Sequence, residues 1–473
     1  MPFFDPIRIG ASGAADDFTV DRSLRFNDND STYLTRTPSG DGNRRTFTIS
    51  FWVKRANFTS GHIFQQRADS NDSRQFAISF RSDNNLRVLA QDGGSTVLQL
   101  DTTQVFRDPS AWYHIVVAID STQSTQSDRQ KLYVNGEQIT DFDTSTQTSQ
   151  DRQFSVNHAS KRILLGNQRP NSSSTLSNYF DGYLAEYHLI DGLQLTPTSF
   201  GETNSTTGQW NPIDTSGLTF GTNGFRLQFA DNSGTTATTL GKDTSGNSNN
   251  FTPNNFSVSA NAGNDSVEDT PTNNFPTLNP LNNNPYSSSG YPSPTFTNGN
   301  LEWTTNTTSQ VNYAESTMYF PKSGKWYIEV TVDNLNIGSG VGYAQLSVSG
   351  DTGGSRYLWW VYSSPYYQIN TNSGTQTIGS ISNGDIMQVA YDSDTGNVWF
   401  GKNNSWYLSG DPANGTAMSP ATTVVNDFAR FFVAGRSGSA ANIVDVNFGQ
   451  QAFSYTPPTG FKALNSVNLP DPT

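Results

Sequence analysis

The sequence predicts an all-β chain of two β-sandwich (jelly-roll-like) domains joined by a Pro/Asn/Ser-rich connector. Short runs of β-branched and aromatic residues recur throughout, separated by Gly, Asn, Ser and Thr, while leucine-alanine runs at helical spacing are missing. Only 33% of residues are hydrophobic but 12% are aromatic, so rings must supply much of the buried area. At 473 residues the chain exceeds one ordinary core, and a proline-rich stretch interrupts it past the middle.

The stretch Ala111 to Gly136 organises the first half. Trp112 to Asp120 reads as one strand and Lys131 to Val134 as another, ending at Asn135-Gly136, a tight-turn pair. Trp112, His114, Val116 and Ala118 share one face of the first strand; Tyr113, Ile115, Val117 and Ile119 share the other. Both faces are largely apolar, which predicts a central strand covered on both sides, with a second sheet packed over the hairpin.

Before it come SLRF from Ser23, then TFTISFWVKR with Phe47, Ile49 and Phe51 on one face and Trp52 on the other, then HIFQQR, QFAISF and LRVLA. RILLG from Arg162 and YLAEYHLI from Tyr183 complete the two sheets. Beyond Thr196 strand character is weak until NGFRLQF, Asn223 to Phe229, and a polar loop runs from Lys242 to Phe251. Prolines spaced among Asn and Ser over residues 264–296 favour an extended connector. The second half restarts at Asn298; in GKWYIEVTVD, Trp326, Ile328, Val330 and Val332 share a face.

Several separated blocks carry a resemblance. WYHIVV, then DRQKLYVNG, then YFDGYLAEYHLIDG from Tyr179 to Gly192 resemble a laminin G-like domain of the concanavalin A-like superfamily, over about Asp21 to Phe200. With YLTRTPSGDGNRRTFTISFWVKR, Tyr33 to Arg55, they are similar to the version carried by virion proteins of tailed bacteriophages, particularly those of aquatic bacteria. GKWYIEV, VGYA, GDIMQVAYD, NVWFGKN and VNFG, in that order, resemble a SPRY domain, itself a bent β-sandwich; ARFFVAG departs from the family's penultimate strand. The organisation expected is an N-terminal arm (1–20), a laminin G-like sandwich with a C-terminal extension (21–263), the connector (264–296) and a SPRY-like sandwich (297–473).

Twenty-eight Lys and Arg against 41 Asp and Glu leave a net charge of −13. That field repels phosphate backbones and anionic lipid, which argues against nucleic acid and membrane insertion as partners. The absence of cysteine removes disulfides, thiolate metal sites and cysteine nucleophiles, and four scattered histidines suggest no metal cluster. The N-terminus has no apolar signal core, so synthesis in a host cytoplasm and exit as part of a particle are expected.

The Glu-x-Asp-x-x-Glu string of concanavalin A-like β-glucanases is missing; the nearest acidic grouping, Asp181, Glu186 and Asp191, belongs to the family's structural block. His62, His114, His158 and His188 join no nucleophile motif, and SGDGN and GDTGG lack the Lys-Ser/Thr of a phosphate loop. Three candidate sites remain. Tyr357, Trp359, Trp360, Tyr362, Tyr366 and Tyr367 form an aromatic run suited either to stacking sugars and anchoring protein partners or to filling a core short of aliphatic residues. Phe3, Phe4, Ile7 and Ile9 are either virion-anchoring residues of a docking arm or part of a frayed terminus. Asp243, Ser245 and Asn247 either offer oxygens to a structural calcium or bond their own backbone as a turn.

The resemblance implies a non-enzymatic virion structural protein on the tail or head exterior: a tail fibre or host-attachment protein recognising cell-surface glycan or protein. Its partners would be other virion proteins and further copies of itself as a homo-oligomer, although no coiled-coil heptad specifies a trimer. No cofactor beyond a possible structural calcium is expected. The alternatives are a capsid-decorating or head-fibre protein and a tail-borne polysaccharide depolymerase.

Overall fold

The computed structural model describes residues 18–67, 74–169, 175–259, 263–281, 293–305, 312–335, 343–349, 356–361, 366–424, 429–436 and 441–470. Residues 343–347, 349, 356–361, 366–367 and 436 are described by backbone alone. The described residues contain no α-helix; the helical turns are the 3-10 segments Gln126–Asp128, Pro197–Ser199 and Ser466–Asn468. They divide into two compact units, an N-terminal one to residue 259 plus 263–272 and a C-terminal one from 273. The boundary at 272/273 falls inside the expected connector.

Two antiparallel sheets make the N-terminal sandwich. The first runs Glu137–Ile139, Gln130–Val134, Tyr113–Asp120, Thr46–Arg55, Gly182–Asp191, Ser23–Phe26 and Ser266–Val267, with Phe225–Leu227 also on Gly182–Asp191. The second runs Phe142–Thr146, Ser95–Val105, Asn85–Asp92, Gln75–Phe80, Gly61–Arg67, Arg162–Leu165, Tyr33–Arg36 and Thr252–Asn254. Strand alternation fills the space between them: Phe47, Ile49 and Phe51 with Ile115, Val117 and Ile119 from the first sheet meet Phe76, Ile78, Val88, Leu98 and Leu100 from the second.

The other face of Tyr113–Asp120 is covered too, by a different part of the chain. Val116 and Ala118 pack with Tyr133, Ile190, Phe200 and Phe220, while Trp52, Trp112 and Tyr183 pack with Val20 and Val267. The weakly patterned run after Thr196 forms a hairpin, Gly201–Thr203 with Trp210–Pro212, that lays Trp210 over His114. This explains the turn at Asn135 and Gly136, whose φ angles are 48° and 86°: a Cβ on Gly136 would lie 2.6 Å from Trp210 Cε3.

Residues 264–272, read from sequence as connector, are stitched to this unit. Arg25 donates to Asp265 (3.2 and 3.1 Å), Lys54 Nζ reaches Asp269 at 2.8 Å, and Trp112 Nε1 donates to the other Asp269 oxygen at 3.1 Å. Lys54 and Asp269 are almost fully buried, so removing one partner would strand a charge.

The C-terminal unit has a sheet of Thr295–Thr297, Glu302–Thr304, Ile443–Asn447, Lys325–Asn334, Ile386–Asp392, Val398–Lys402 and Ser405–Trp406; Lys462–Ala463 adds in parallel to Lys325–Asn334. A second sheet orders Asn312–Glu315, Arg430–Arg436, Tyr343–Ser349, Arg356–Val361, Tyr366–Thr371 and Gly374–Ile378. Trp326, Ile328, Val330 and Val332 enter one core with Trp303, Trp399, Phe431 and Phe448. Phe275 and Leu278, from the described part of the proline-rich stretch, join that core.

Candidate functional site

The second sheet of the N-terminal sandwich turns a polar face outward. Opposite in alternation to the buried Val88, Ala90, Leu98 and Leu100 stand Arg87, Leu89, Gln91, Gln99 and Asp101, with Arg87 paired to Asp101 and Leu89 to Gln99. Each polar side chain is held by one end. Arg87 grips Asp101 with two hydrogen bonds, from Nε at 2.7 Å and Nη2 at 2.6 Å. Gln99 Nε2 donates to Asp101 at 2.9 Å, and Gln91 accepts from Gln75 Nε2 at 2.6 Å, itself bonded to Gln65 at 2.8 Å. Burial holds the Asp101 carboxyl above its ordinary value against the pull of Gln99 and Arg81.

What remains free is directional. Arg87 Nη1, Gln91 Nε2 and Gln99 Oε1 have no hydrogen-bond partner among the described residues, and all three side chains are half-exposed around the half-buried Leu89. Two donors and an acceptor, preset around an apolar patch, suit a ligand with hydroxyls on its edge and C–H groups on its face. No sequence motif announces this shelf. Its partners come from four strands, and bulges between Asn85 and Arg87 and between Ala90 and Gln91 set which residues face each other.

Two of the acidic groups nearest to a hydrolase motif, Glu186 and Asp191, are structural. Glu186, at a register shift with φ 42°, bonds Arg226 Nε at 3.1 Å and Gln228 at 3.2 Å. Asp191 accepts from Asn43 N (2.6 Å), Asn157 Nδ2 (3.0 Å) and Asn223 N (3.0 Å), clasping three loops. Burial lowers the histidines: His62 to about 4, His114 and His188 to about 3. Each is thereby neutral near pH 7 and embedded in packing.

Asp243, Ser245 and Asn247 lie together in the loop where they were expected. Asp243 Oδ1 accepts from Arg226 N and Ser245 N, each 2.9 Å; its Oδ2 accepts from Ser245 Oγ (2.9 Å) and Asn249 N (2.7 Å). Asn247 Nδ2 donates to the carbonyls of Gly221 and Gly224. This is the hydrogen bonding of the self-bonded turn, with four donors on the one carboxylate.

Of the aromatic run, Tyr362 lies outside the described residues. Tyr357, Trp359 and Trp360 fall on Arg356–Val361, and Tyr366 and Tyr367 on Tyr366–Thr371. Backbone pairing sets Trp360 opposite Tyr367, Val361 opposite Tyr366 and Leu358 opposite Ile369, whose side chain is fully buried. Phe3, Phe4, Ile7 and Ile9 lie outside the described residues, as does most of the expected arm.

The register also assembles acidic groups that sequence reading missed. In the C-terminal unit the carboxylates of Glu302, Asp333 and Asp445 approach within 4.8 Å of one another, a set able to hold a hard cation. Glu302 stands opposite Asp445, and Asp333 sits at a register shift. Thr297 Oγ1 and Asn298 Nδ2 already donate to Glu302.

The N-terminal unit is thus a two-sheet antiparallel β-sandwich with a polar shelf on the outer face of its second sheet. Residues 27–199 match the family model described as the Concanavalin A-like lectin/glucanases superfamily. No curated protein matches the chain. Among solved structures it is similar to domains LG4-5 of the mouse laminin alpha1 chain (10% identity, 96% of this chain and 97% of that one, TM-score 0.30). It is also similar to a heptameric SAP-like pentraxin of Limulus polyphemus (13% identity, 42% and 98%, TM-score 0.30). The SPRY domain of human HERC1 is a further likeness (15% identity, 31% and 87%, TM-score 0.21).

Proposed function

We propose that this chain is a non-enzymatic adhesion protein, and that its laminin G-like unit binds glycan on the shelf formed by Arg87, Leu89, Gln91 and Gln99. The observation that carries this reading is the set of three unpartnered polar atoms, each anchored through the rest of its side chain, around an apolar patch. Groups fixed in advance lose little entropy when a ligand binds. The match of residues 27–199 to a lectin and glucanase superfamily supports the class of ligand. The saturated, buried states of Glu186 and Asp191 support binding without hydrolysis.

The finer reading places the protein on the exterior of a tailed-phage particle as a tail fibre or host-attachment protein, and rests on the sequence blocks quoted above. Purified protein should then adsorb to host cells and compete with infection, and gold-labelled antibody should decorate tails. Labelling confined to heads would favour the capsid-decorating alternative. Absence of adsorption to any susceptible cell would remove the attachment reading.

A further inference from the structure

We infer that the N-terminal unit carries a covalent modification site of its own making: Lys54 Nζ and the Asp269 carboxyl condense to a side-chain amide, fastening the end of the sandwich to its central strand. The two residues lie 215 positions apart and meet by folding, with Nζ 2.8 Å from Asp269 Oδ2. Lys54 sits near the end of Thr46–Arg55, directly opposite Tyr183 in Gly182–Asp191. Asp269 follows Ser266–Val267, the outermost strand of the same sheet, three places along from Thr46–Arg55. The chain beyond that strand therefore turns back over the sheet, and Ser23 Oγ donates to the Asp269 carbonyl at 2.6 Å to hold it there.

The surroundings set this pair up for reaction. Lys54 is 0% exposed and Asp269 1%. Lys54 Nζ stands 5.8 Å from the centre of the Tyr183 ring, and Trp112 Nε1 donates to Asp269 Oδ1 at 3.1 Å. That bond orients the carboxyl so that Oδ2 meets the amine. Trp112 and Tyr183 belong with Trp52 and Val267 to one buried apolar cluster. A nitrogen at hydrogen-bond distance from one carboxyl oxygen is already close to the separation of about 3–3.5 Å from which reacting atoms add.

The desolvation cost of a buried ion pair can exceed its attraction, and apolar residues of similar volume often serve as well. A lysine kept against an apolar layer on a central strand therefore calls for a further role. One proton passing from Lys54 Nζ to Asp269 Oδ2 removes both charges and leaves a desolvated amine facing a carboxylic acid. Nζ then adds to Cγ, and the electron pair of the Cγ–Oδ1 double bond moves onto Oδ1, where the Trp112 N–H is already aimed. As that pair returns, the Cγ–Oδ2 bond breaks, and Oδ2 leaves as water with the transferred proton and a second one from Nζ. Three hydrogens on the nitrogen become one on the amide and two in the water, so no oxidant or co-reactant is needed. The neutral amide keeps the Trp112 hydrogen bond and acts as any cross-link does, by constraining the unfolded chain.

The test is the intact mass of the purified full chain, followed by proteolysis and sequencing of any branched peptide. The wild type should weigh one water less than its sequence requires, and a branched peptide should join the segments carrying Lys54 and Asp269. The double variant Lys54→Met/Asp269→Leu removes both charges together, so that neither is stranded, and should show its full mass. Wild-type protein at full mass would overturn the inference without any variant and leave the two residues an ordinary buried ion pair. So would a loss of water that persists in the double variant or maps to any other pair of residues.

Discussion

Trp210 Nε1 donates to His114 Nδ1 at 3.0 Å, joining the peripheral hairpin to the central strand of the sandwich. An indole N–H only donates, so His114 Nδ1 accepts and its Nε2–H donates to Ser50 Oγ, 2.8 Å away. The imidazole is held between two indoles, its centroid 4.8 Å from that of Trp52 and 6.0 Å from that of Trp210. The neutral tautomer is thus part of the packing. Trp210→Ala should cost about 2–3 kcal/mol, the lower range for a large aromatic because the ring is only half-buried. Denaturant unfolding measures this, and an unchanged midpoint would mean that the hairpin is not a structural cover.

Gly136 is the matching position on the other side of that contact. Its φ of 86° and the 2.6 Å approach to Trp210 disfavour any side chain. Gly136→Ala should destabilise by at least about 1 kcal/mol. In the background of Trp210→Ala the penalty should shrink, because the steric part of it is gone; a double-mutant cycle reads the difference.

Acid should weaken the N-terminal unit. His62, His114 and His188 titrate below the ordinary value when folded, so the unfolded chain binds more protons. The stability they contribute is complete above about pH 6.5 and is lost as pH falls towards about 3–4. For His114 alone this is on the order of 3 kcal/mol between pH 7 and 4. Glu186 and Asp181 act in the opposite sense: burial raises them, so the stability they contribute is present at low pH and lost as pH rises through their folded values. His188→Gln should flatten the acid limb of a plot of stability against pH. A wild-type curve flat from pH 7 to 4 would contradict the assignment.

Asp243 should behave as a turn-builder. Replacing it by Ala strands two backbone N–H groups, Arg226 and Ser245, inside or near the fold, along with Asn249 N and Ser245 Oγ. A loss of about 2–3 kcal/mol is expected, at about 1 kcal/mol per hydrogen bond with partial rescue by water. The loss should be the same with and without calcium; a calcium-dependent loss would revive the cation reading of this loop.

Much of this architecture is legible from residues alone. The alternation in TFTISFWVKR separates Phe47, Ile49 and Phe51 from Trp52, and the structure sends the first three to the sandwich core and Trp52 to the outer packing layer. The two apolar faces of Tyr113–Asp120 call for two covers. What the residues conceal is the identity of the second cover, because the run carrying Trp210 lacks strand periodicity and packs through single anchors. The polar shelf is hidden for another reason: bulges shift the register of Asn85–Asp92, and no local pattern reveals which Gln meets which partner. Lys54 and Asp269 meet only through tertiary folding, 215 positions apart in the sequence. In the proline-rich stretch composition argues for an extended connector, yet Asp265, Asp269, Phe275 and Leu278 bind it to one unit or the other through buried contacts.

Gln91→Ala and Gln99→Ala should each cost only about 1 kcal/mol of stability, since each removes one hydrogen bond to a buried partner, Gln75 Nε2 or the Asp101 carboxylate. Together they should weaken glycan binding at least tenfold, as about 1–1.5 kcal/mol is expected from each lost hydrogen bond. Titration calorimetry with purified cell-surface polysaccharide separates this from misfolding. Full affinity in the double variant would move the site off the shelf.

Adhesion without bond cleavage is the centre of this account, and one incubation tests it most directly: purified chain with cell-surface polysaccharide, assayed in parallel for retained complex and for new reducing ends. The account predicts saturable retention that falls in the Gln91/Gln99 double variant, with reducing ends at the level of buffer alone. Reducing ends that accumulate steadily with time and protein concentration would contradict it.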